Sequence, residues 1–384
     1  MAKEIYKLSV EPITCVHIGS GEQLTTMEYK VSFSKKNRQY LFVNYSKDSV
    51  LKRVGADEKL FKEFDNISNK NDFKELSHFF HVNSTGEDTN YTCQCTEEFL
   101  QNYEKNQDKN PIQNGMFVEQ MYHPQGKATP VIPGSSLKGA IRTAVLNLFL
   151  NEYAMRNELR NKKDQELQQK LLENSDAKND PFRAVQIGDC TFAGKGTQIV
   201  GLLKNIKKDR DGEIYEHNTS QIQAEVIKGY FMPDTKDVNL IGQSHCVFNS
   251  DLWNSQLTQK AVSKKITPKD LIKMCNSFYW REFKNEYNNF YRQATGSECN
   301  FITELYKELK SIAENSQNQD TFILRVGRWS QVEFVTYGND FRNPKTPKRN
   351  GRQMPYGTTR TVFNYDGDYL PLGWCKCTLT KAGE

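Results

Sequence analysis

The chain has no run of 18 apolar residues, so no segment reads as a membrane-spanning helix. Its opening Met1-Ala2-Lys3-Glu4 lacks the apolar stretch of a secretory leader, and a soluble, cytoplasmic protein is expected. Its 9 cysteines are odd in number and scattered along 384 residues, which predicts reduced thiols rather than a disulfide framework. A strong charge of one sign is also missing. With 26% charged residues and a formal net charge of +5, the chain is not a basic tail protein and has room for a modest, localised polyanion-binding surface. No short-period repeat is visible, which argues against a solenoid. The length allows two domains, each with its own core.

What is present concentrates in residues 132–145, Ile-Pro-Gly-Ser-Ser-Leu-Lys-Gly-Ala-Ile-Arg-Thr-Ala-Val. Pro133 and Gly134 predict a turn, and Ser135 is placed to cap the helix that follows. Leu137, Ile141, Val145 and Leu148 share one apolar stripe, with Lys138 and Arg142 on a neighbouring face. A glycine-serine turn, free amides at a helix start and two cations suit a phosphate backbone, held by Gly134, Ser135, Ser136, Lys138 and Arg142. The plain alternative is an ordinary capped helix with solvated cations. Gly134 and Gly139 have the spacing of a P-loop, but Ala140 and Ile141 stand where Lys and Ser/Thr are required, so nucleotide hydrolysis is disfavoured.

Strand signals fall near 5–17, 26–33 and 39–44. Asp57 predicts a helix start ahead of Leu60, Phe61, Phe64 and Ile67. The polar stretch 83–115 reads as an insertion with one short helix after Thr96, and 116–122 as a strand. Residues 151–180 read as a solvated helix and a linker ending in Asn179-Asp180-Pro181. The domain boundary is expected there, giving units 1–180 and 181–384. In the second unit, strands are expected at 183–192, 197–206 and 213–232. A helical segment spans about 250–315, with Thr267-Pro268-Lys269-Asp270 as a strong helix start, and strands follow at 321–337 and 372–379. This interleaving predicts an α+β protein of two ferredoxin-like, RRM-like units with helical insertions.

Residues 13–21 read Ile-Thr-Cys-Val-His-Ile-Gly-Ser-Gly, directly after a strand-like alternation of Tyr6, Leu8 and Val10. Together with 132–145 they resemble the RAMP superfamily of CRISPR effector proteins. There a first strand ends in a His-Ile-Gly-rich turn, and a Pro-Gly-Ser-Ser-hydrophobic-Lys-Gly segment starts an RNA-facing helix. The run Gly139 to Ala144 and the ending Pro371-Leu372-Gly373-Trp374 are similar to the fifth-subunit family of type III-A Csm complexes. The resemblance implies a non-catalytic CRISPR-RNA-binding subunit at the head of the filament, near the 3′ end of the guide. Its implied partners are the guide RNA and the other effector subunits, especially the neighbouring backbone subunit, with target RNA as a further candidate. Neither a membrane nor a cofactor is implied. His17, Gly19, Ser20 and Gly21 would lie along the RNA.

Two alternatives stay open: a RAMP backbone subunit, and a metal-independent endoribonuclease cutting CRISPR precursor RNA with His17 as general acid or base. Against the first, the Asp-bearing loop of the backbone subunits is missing, since residues 22–33 hold no aspartate. Against the second, no titratable partner for His17 can be identified from spacing.

Residues 342–360 carry Arg342, Lys345, Lys348, Arg349, Arg352 and Arg360 and no acid, which predicts a cationic loop for phosphate contacts. Val326-Gly327-Arg328-Trp329-Ser330 occupies the place of the family's late glycine-rich turn with a single glycine. Arg328 and Trp329 are expected at the RNA, Trp329 as a stacking ring. His78, His81, Cys93 and Cys95 could supply four zinc ligands, although the spacing is unusual and a strand explains the Cys pair as well. Cys375 and Cys377 share a strand face with Leu379 and are expected in the core.

Overall fold

In a computed structural model of the chain, the described residues are 3–383 apart from 114, 125–127, 154–155, 160–161, 175, 210–211, 218–221, 255–260, 293–299, 316–319, 339–347, 350–351, 354–358 and 366. The chain opens with β1 (Lys3–Pro12), whose Leu8 and Val10 face inward at alternate positions. The strands β2 (Gly19–Leu24), β3 (Tyr29–Ser34) and β4 (Gln39–Tyr45) follow. Side-chain caps then start three helices: Ser46 for α1 (Lys47–Ala56), Asp57 for α2 (Glu58–Asn69) and Asp72 for α3 (Phe73–Asn83). The strand β5 (Thr89–Cys95) leads through the cap Thr96 into α4 (Glu97–Asn106). The strands β6 (Val118–Met121) and β7 (Val131–Ile132) precede α5 (Gly134–Glu152) and α6 (Asp164–Leu172).

The second half runs β8 (Val185–Ile187), β9 (Cys190–Thr191), β10 (Gln198–Lys208), β11 (Ile214–Glu216), β12 (Ile222–Ile227) and β13 (Gly242–Asn249). Thr267 and Asp270 form a reciprocal capping box with Pro268 at the first position of α7 (Pro268–Glu286), as the sequence predicts. Then come α8 (Asn300–Glu314), β14 (Thr321–Arg325), α9 (Val332–Val335), β15 (Lys348–Arg349), β16 (Arg352–Gln353), β17 (Thr359–Tyr365), β18 (Asp368–Pro371) and β19 (Trp374–Lys381).

Two curled sheets with helices against them form the expected pair of ferredoxin-like α+β units. One sheet has the order β14-β19-β1-β13-β9-β7, and the other β2-β6-β12-β10-β5-β4-β3, with β17 joined to β10 and β18 to β17. The main core lies where α5 and α7 pack on the first sheet, with Leu137, Ile141 and Val145 meeting Phe278, Phe283 and Trp374. A second core sits under β3, β4 and β5, closed by Phe99 and Tyr103 of α4.

Four expectations are corrected. The stretch 83–115 is not simply an insertion, because β5 lies between β10 and β4 and buries Tyr91 and Cys93. Residue 180 does not separate two sheets: β1 pairs with both β13 and β19, and β5 and β6 pair with β10 and β12. Strand structure expected over 321–337 ends at Arg325 and gives way to a turn and α9. Ser135 is not the helix cap. Pro133 takes that position without a side-chain bond, and α5 starts at Gly134.

Candidate nucleic-acid interface

Three segments far apart in sequence meet where β1 ends. The amide of Gly373 donates to the carbonyl of Cys15 at 2.8 Å, and its carbonyl accepts from the Val326 amide at 2.8 Å. The amide of Arg328 donates to the His17 carbonyl at 2.9 Å. Two of these approaches require glycine. Gly327 has φ +90° and a Cβ there would lie 2.3 Å from the His17 carbonyl oxygen. Gly373 has φ +95° and a Cβ would lie 2.5 Å from the Val326 carbonyl oxygen. The single glycine of the late turn thus sits at the point of closest backbone approach.

His17 lies at the centre of this junction, fully buried. Its Nδ1 is 2.7 Å from the Glu225 carbonyl, and its ring packs on Trp329 with centroids 4.7 Å apart. Burial lowers its pKa below the ordinary imidazole value, so the ring is neutral at pH 7. Its buried Nε2 has no hydrogen-bond partner among the described residues and faces Gly19, whose Cβ would stand 3.2 Å away. Outside this floor, Gly19, Ser20 and Gly21 are exposed in β2. Arg328 stacks on Trp329 at 4.7 Å and pairs with Glu119 at 2.6 Å, so this cation is already matched by an acid.

Beneath the junction lies a carboxylate that the sequence reading did not find. Glu225 is fully buried and accepts from the Tyr91 hydroxyl at 3.0 Å, the Met121 amide at 3.2 Å and Gln198 Nε2 at 2.5 Å. His123 Nε2 is 2.9 Å from the same group, and its ring stacks on Tyr91 at 4.4 Å. These residues come from four strands and the segment after β6, and no local spacing announces them.

At the start of α5 both motif cations are held by the protein. The Lys138 ammonium donates to the Phe182 carbonyl at 2.8 Å, and its burial lowers its pKa. Arg142 makes a forked pair with Asp180 at 2.9 and 3.1 Å, bonds Gln168, and lies over Phe182 at 5.0 Å. Neither cation is simply solvated as in the plain alternative, and the two side chains expected to hold a phosphate are engaged within the protein, where they tie α5 to the turn at Asp180. Gly134 is a packing requirement as well, since its amide donates to Asp189 at 2.8 Å and a Cβ would lie 2.2 Å from the Ile187 carbonyl oxygen. Ser135 is exposed and Ser136 partly so.

Of the cationic stretch, Arg342 and Lys345 lie outside the described residues. Lys348, Arg349 and Arg352 belong to the short ladder of β15 and β16. Arg360 is corrected: it is buried in β17, bonded to Glu286 and 3.1 Å from Glu333, and cannot meet a phosphate from there. The zinc set does not assemble either. Cys93 is buried, His81 bonds the Thr26 carbonyl and His78 is exposed; among the described residues no group of three or more His, Cys, Asp or Glu could hold a metal. Cys375 and Cys377 lie in the core as expected. Among the described residues no helix is long and apolar enough to cross a membrane.

The sequence model of the RAMP superfamily matches residues 9–327. A chain of the Csm–crRNA–target RNA ternary complex of a type III-A CRISPR-Cas system superposes with a TM-score of 0.64 at 15% identity, covering 97% of this chain and 100% of that one. Csm5 of T. onnurineus superposes with a TM-score of 0.55 at 16% identity, covering 96% and 99%. No curated protein matches. At such identities the solved structures speak for the fold.

Proposed function

The chain belongs to the RAMP superfamily, and on that premise we propose that it is a CRISPR-RNA-binding subunit of a type III-A Csm effector complex, without a cleavage role of its own. It would cap the filament near the 3′ end of the guide. The observation that carries this reading is the junction at His17, where the first motif, the late turn and the Pro371–Trp374 ending close into one floor under an exposed glycine turn. Gly19, Ser20 and Gly21 leave the backbone of β2 open to a phosphodiester, while the Trp329 ring expected to stack on a base is already packed by His17 and Arg328.

His17 serves as a positioning residue in this scheme. It lies under Trp329, neutral and without a described carboxylate side chain bonded to it, which suits a wedge that sets the turn rather than a group that shuttles protons. Recognition of phosphates and 2′-hydroxyls lets any spacer sequence be accepted. Native mass spectrometry of the complex reconstituted on its guide tests the reading. One copy per guide is expected; two or more would make this chain a backbone subunit. Incubation of the chain with precursor RNA in EDTA is expected to yield no cut, and site-specific products lost in His17→Ala would make it the endoribonuclease.

A further inference from the structure

The hairpin of β3 and β4 outruns the core in which it begins. Its register opposes Val31 to Phe42 and Phe33 to Tyr40, so these side chains share one face with Tyr29. At the base that face is core: Tyr29 and Phe42 are 0% exposed, stack at 4.7 Å, and meet Phe99 of α4. At the tip the same face stands in solvent. Phe33 is 53% and Tyr40 43% exposed, their rings edge to face at 5.2 Å.

Between Glu28 and Asp48 the sequence contains no acid. Lys30 and Lys47 are used internally, the first on the carbonyls of His81 and Ser84, the second on Glu28. Lys35, Lys36 and Arg38 stand exposed in the turn, and among the described residues none of them makes an ion pair. Two exposed rings flanked by three unmatched cations are an unusual use of surface. Apolar rings alone would fit a protein neighbour, whose interface core is depleted of charge. Rings beside an acid-free cationic turn fit a polyanion that also offers π faces.

We propose that this hairpin is a stacking platform for single-stranded RNA, with bases on Phe33 and Tyr40 and phosphates on Lys35, Lys36 and Arg38. Every base has a π face, so the contact is tolerant of sequence. It is separate from the junction at His17. β2 and β3 are the two ends of a seven-strand order with five strands between them, a path of roughly 29 Å along the sheet at about 4.8 Å per ladder spacing. The platform therefore takes a different stretch of RNA from the glycine turn, and it does not depend on the guide-end assignment.

The test uses the full chain and a 4-thiouridine-labelled oligouridine. Photo-crosslinks are expected on the peptide that holds Phe33 and Tyr40. Phe33→Ala with Tyr40→Ala should weaken oligouridine binding about tenfold, while tryptophan at both positions should preserve it. Serine at Lys35, Lys36 and Arg38 should flatten the logarithmic salt slope by roughly 2. Both side-chain sets are exposed, so melting temperatures should be unchanged. No crosslink on the hairpin and affinities within twofold of the parent would overturn the platform. So would variants that bind oligouridine normally but lose a partner subunit in a pull-down, which would make the patch a protein contact. Entry of the hairpin variants into the guide complex as a single copy separates this result from the fate of the guide-binding reading.

Discussion

At the scale of single residues, the two glycines of the central motif do different work. Gly134 faces the backbone of Ile187 and Gly188, which cannot move aside cheaply, whereas nothing lies within 4 Å of a Cβ at Gly139. Gly134→Ala is expected to destabilise by about 1–3 kcal/mol. Gly139→Ala should be neutral or stabilise by up to about 1 kcal/mol, because alanine orders an exposed helix position more cheaply. Thermal melting of the two variants checks the pair. The buried imidazoles make a second prediction. Burial lowers the pKa of both His17 and His81 from 6.5. Above pH 6.5 these rings are neutral folded or unfolded and their contribution is whole. Below it the unfolded chain takes up protons that the folded chain refuses, so stability falls with pH, by up to about 1.4 kcal/mol per unit per ring. Denaturant titrations from pH 7 to 5 should show this fall, and His17→Gln with His81→Gln should flatten it.

At the scale of elements, one buried carboxylate bolts the end of α7 to two strands. Glu286 holds Arg325 of β14 at 3.0 Å and bonds Arg360 of β17, and Arg360 also reaches Glu333 of α9. Arg325 additionally lies over Phe334 at 4.4 Å and Trp374 at 5.2 Å. Removing one member leaves its partners charged in the interior. Glu286→Ala should therefore cost about 3–5 kcal/mol. Arg360→Ala should lose stability on a similar scale while leaving the salt slope of RNA binding unchanged. A changed slope would restore Arg360 to the phosphate-contacting set. The pairing of Arg142 with Asp180 also ties elements together, but it is partly exposed and so weaker than the Glu286 cluster. It converts a stretch that reads as a linker, Asn179-Asp180-Pro181, into an anchor for α5.

At the scale of the whole molecule, the strand order ties the chain's two ends together. β1 lies between β13 and β19, so neither half closes its sheet alone. Expression of residues 1–180 or 181–384 separately is expected to give chains that melt without a cooperative transition, whereas the full chain unfolds as one unit. Cooperative melting of either half would show a boundary at residue 180 after all. Under the proposed capping role the chain needs a face for one filament neighbour only, and that proposal is what makes single-copy entry into the complex the expected stoichiometry.

Local chemistry is strong enough to be legible in the sequence. Asp57, Thr96 and Thr267 announce their helices because a cap acts on amides two or three residues away. The stripe of α5 announces its buried face because helical spacing is a short-range rule. The two motifs and the Pro-Leu-Gly-Trp ending sufficed to mark the family. Long-range pairing decided the rest. Whether Lys138, Arg142 and Arg360 were free cations depended on Phe182, Asp180 and Glu286, which arrive from elsewhere in the chain. β5 hid within a polar stretch because its partners β4 and β10 supply the apolar contact that its own composition does not advertise. The burial of His17 over Glu225 likewise joins residues more than 200 positions apart. Spacing rules reach only as far as a turn of helix or a pair of strand neighbours; whether a charge is matched or a ring is covered is settled by whatever the fold brings beside it.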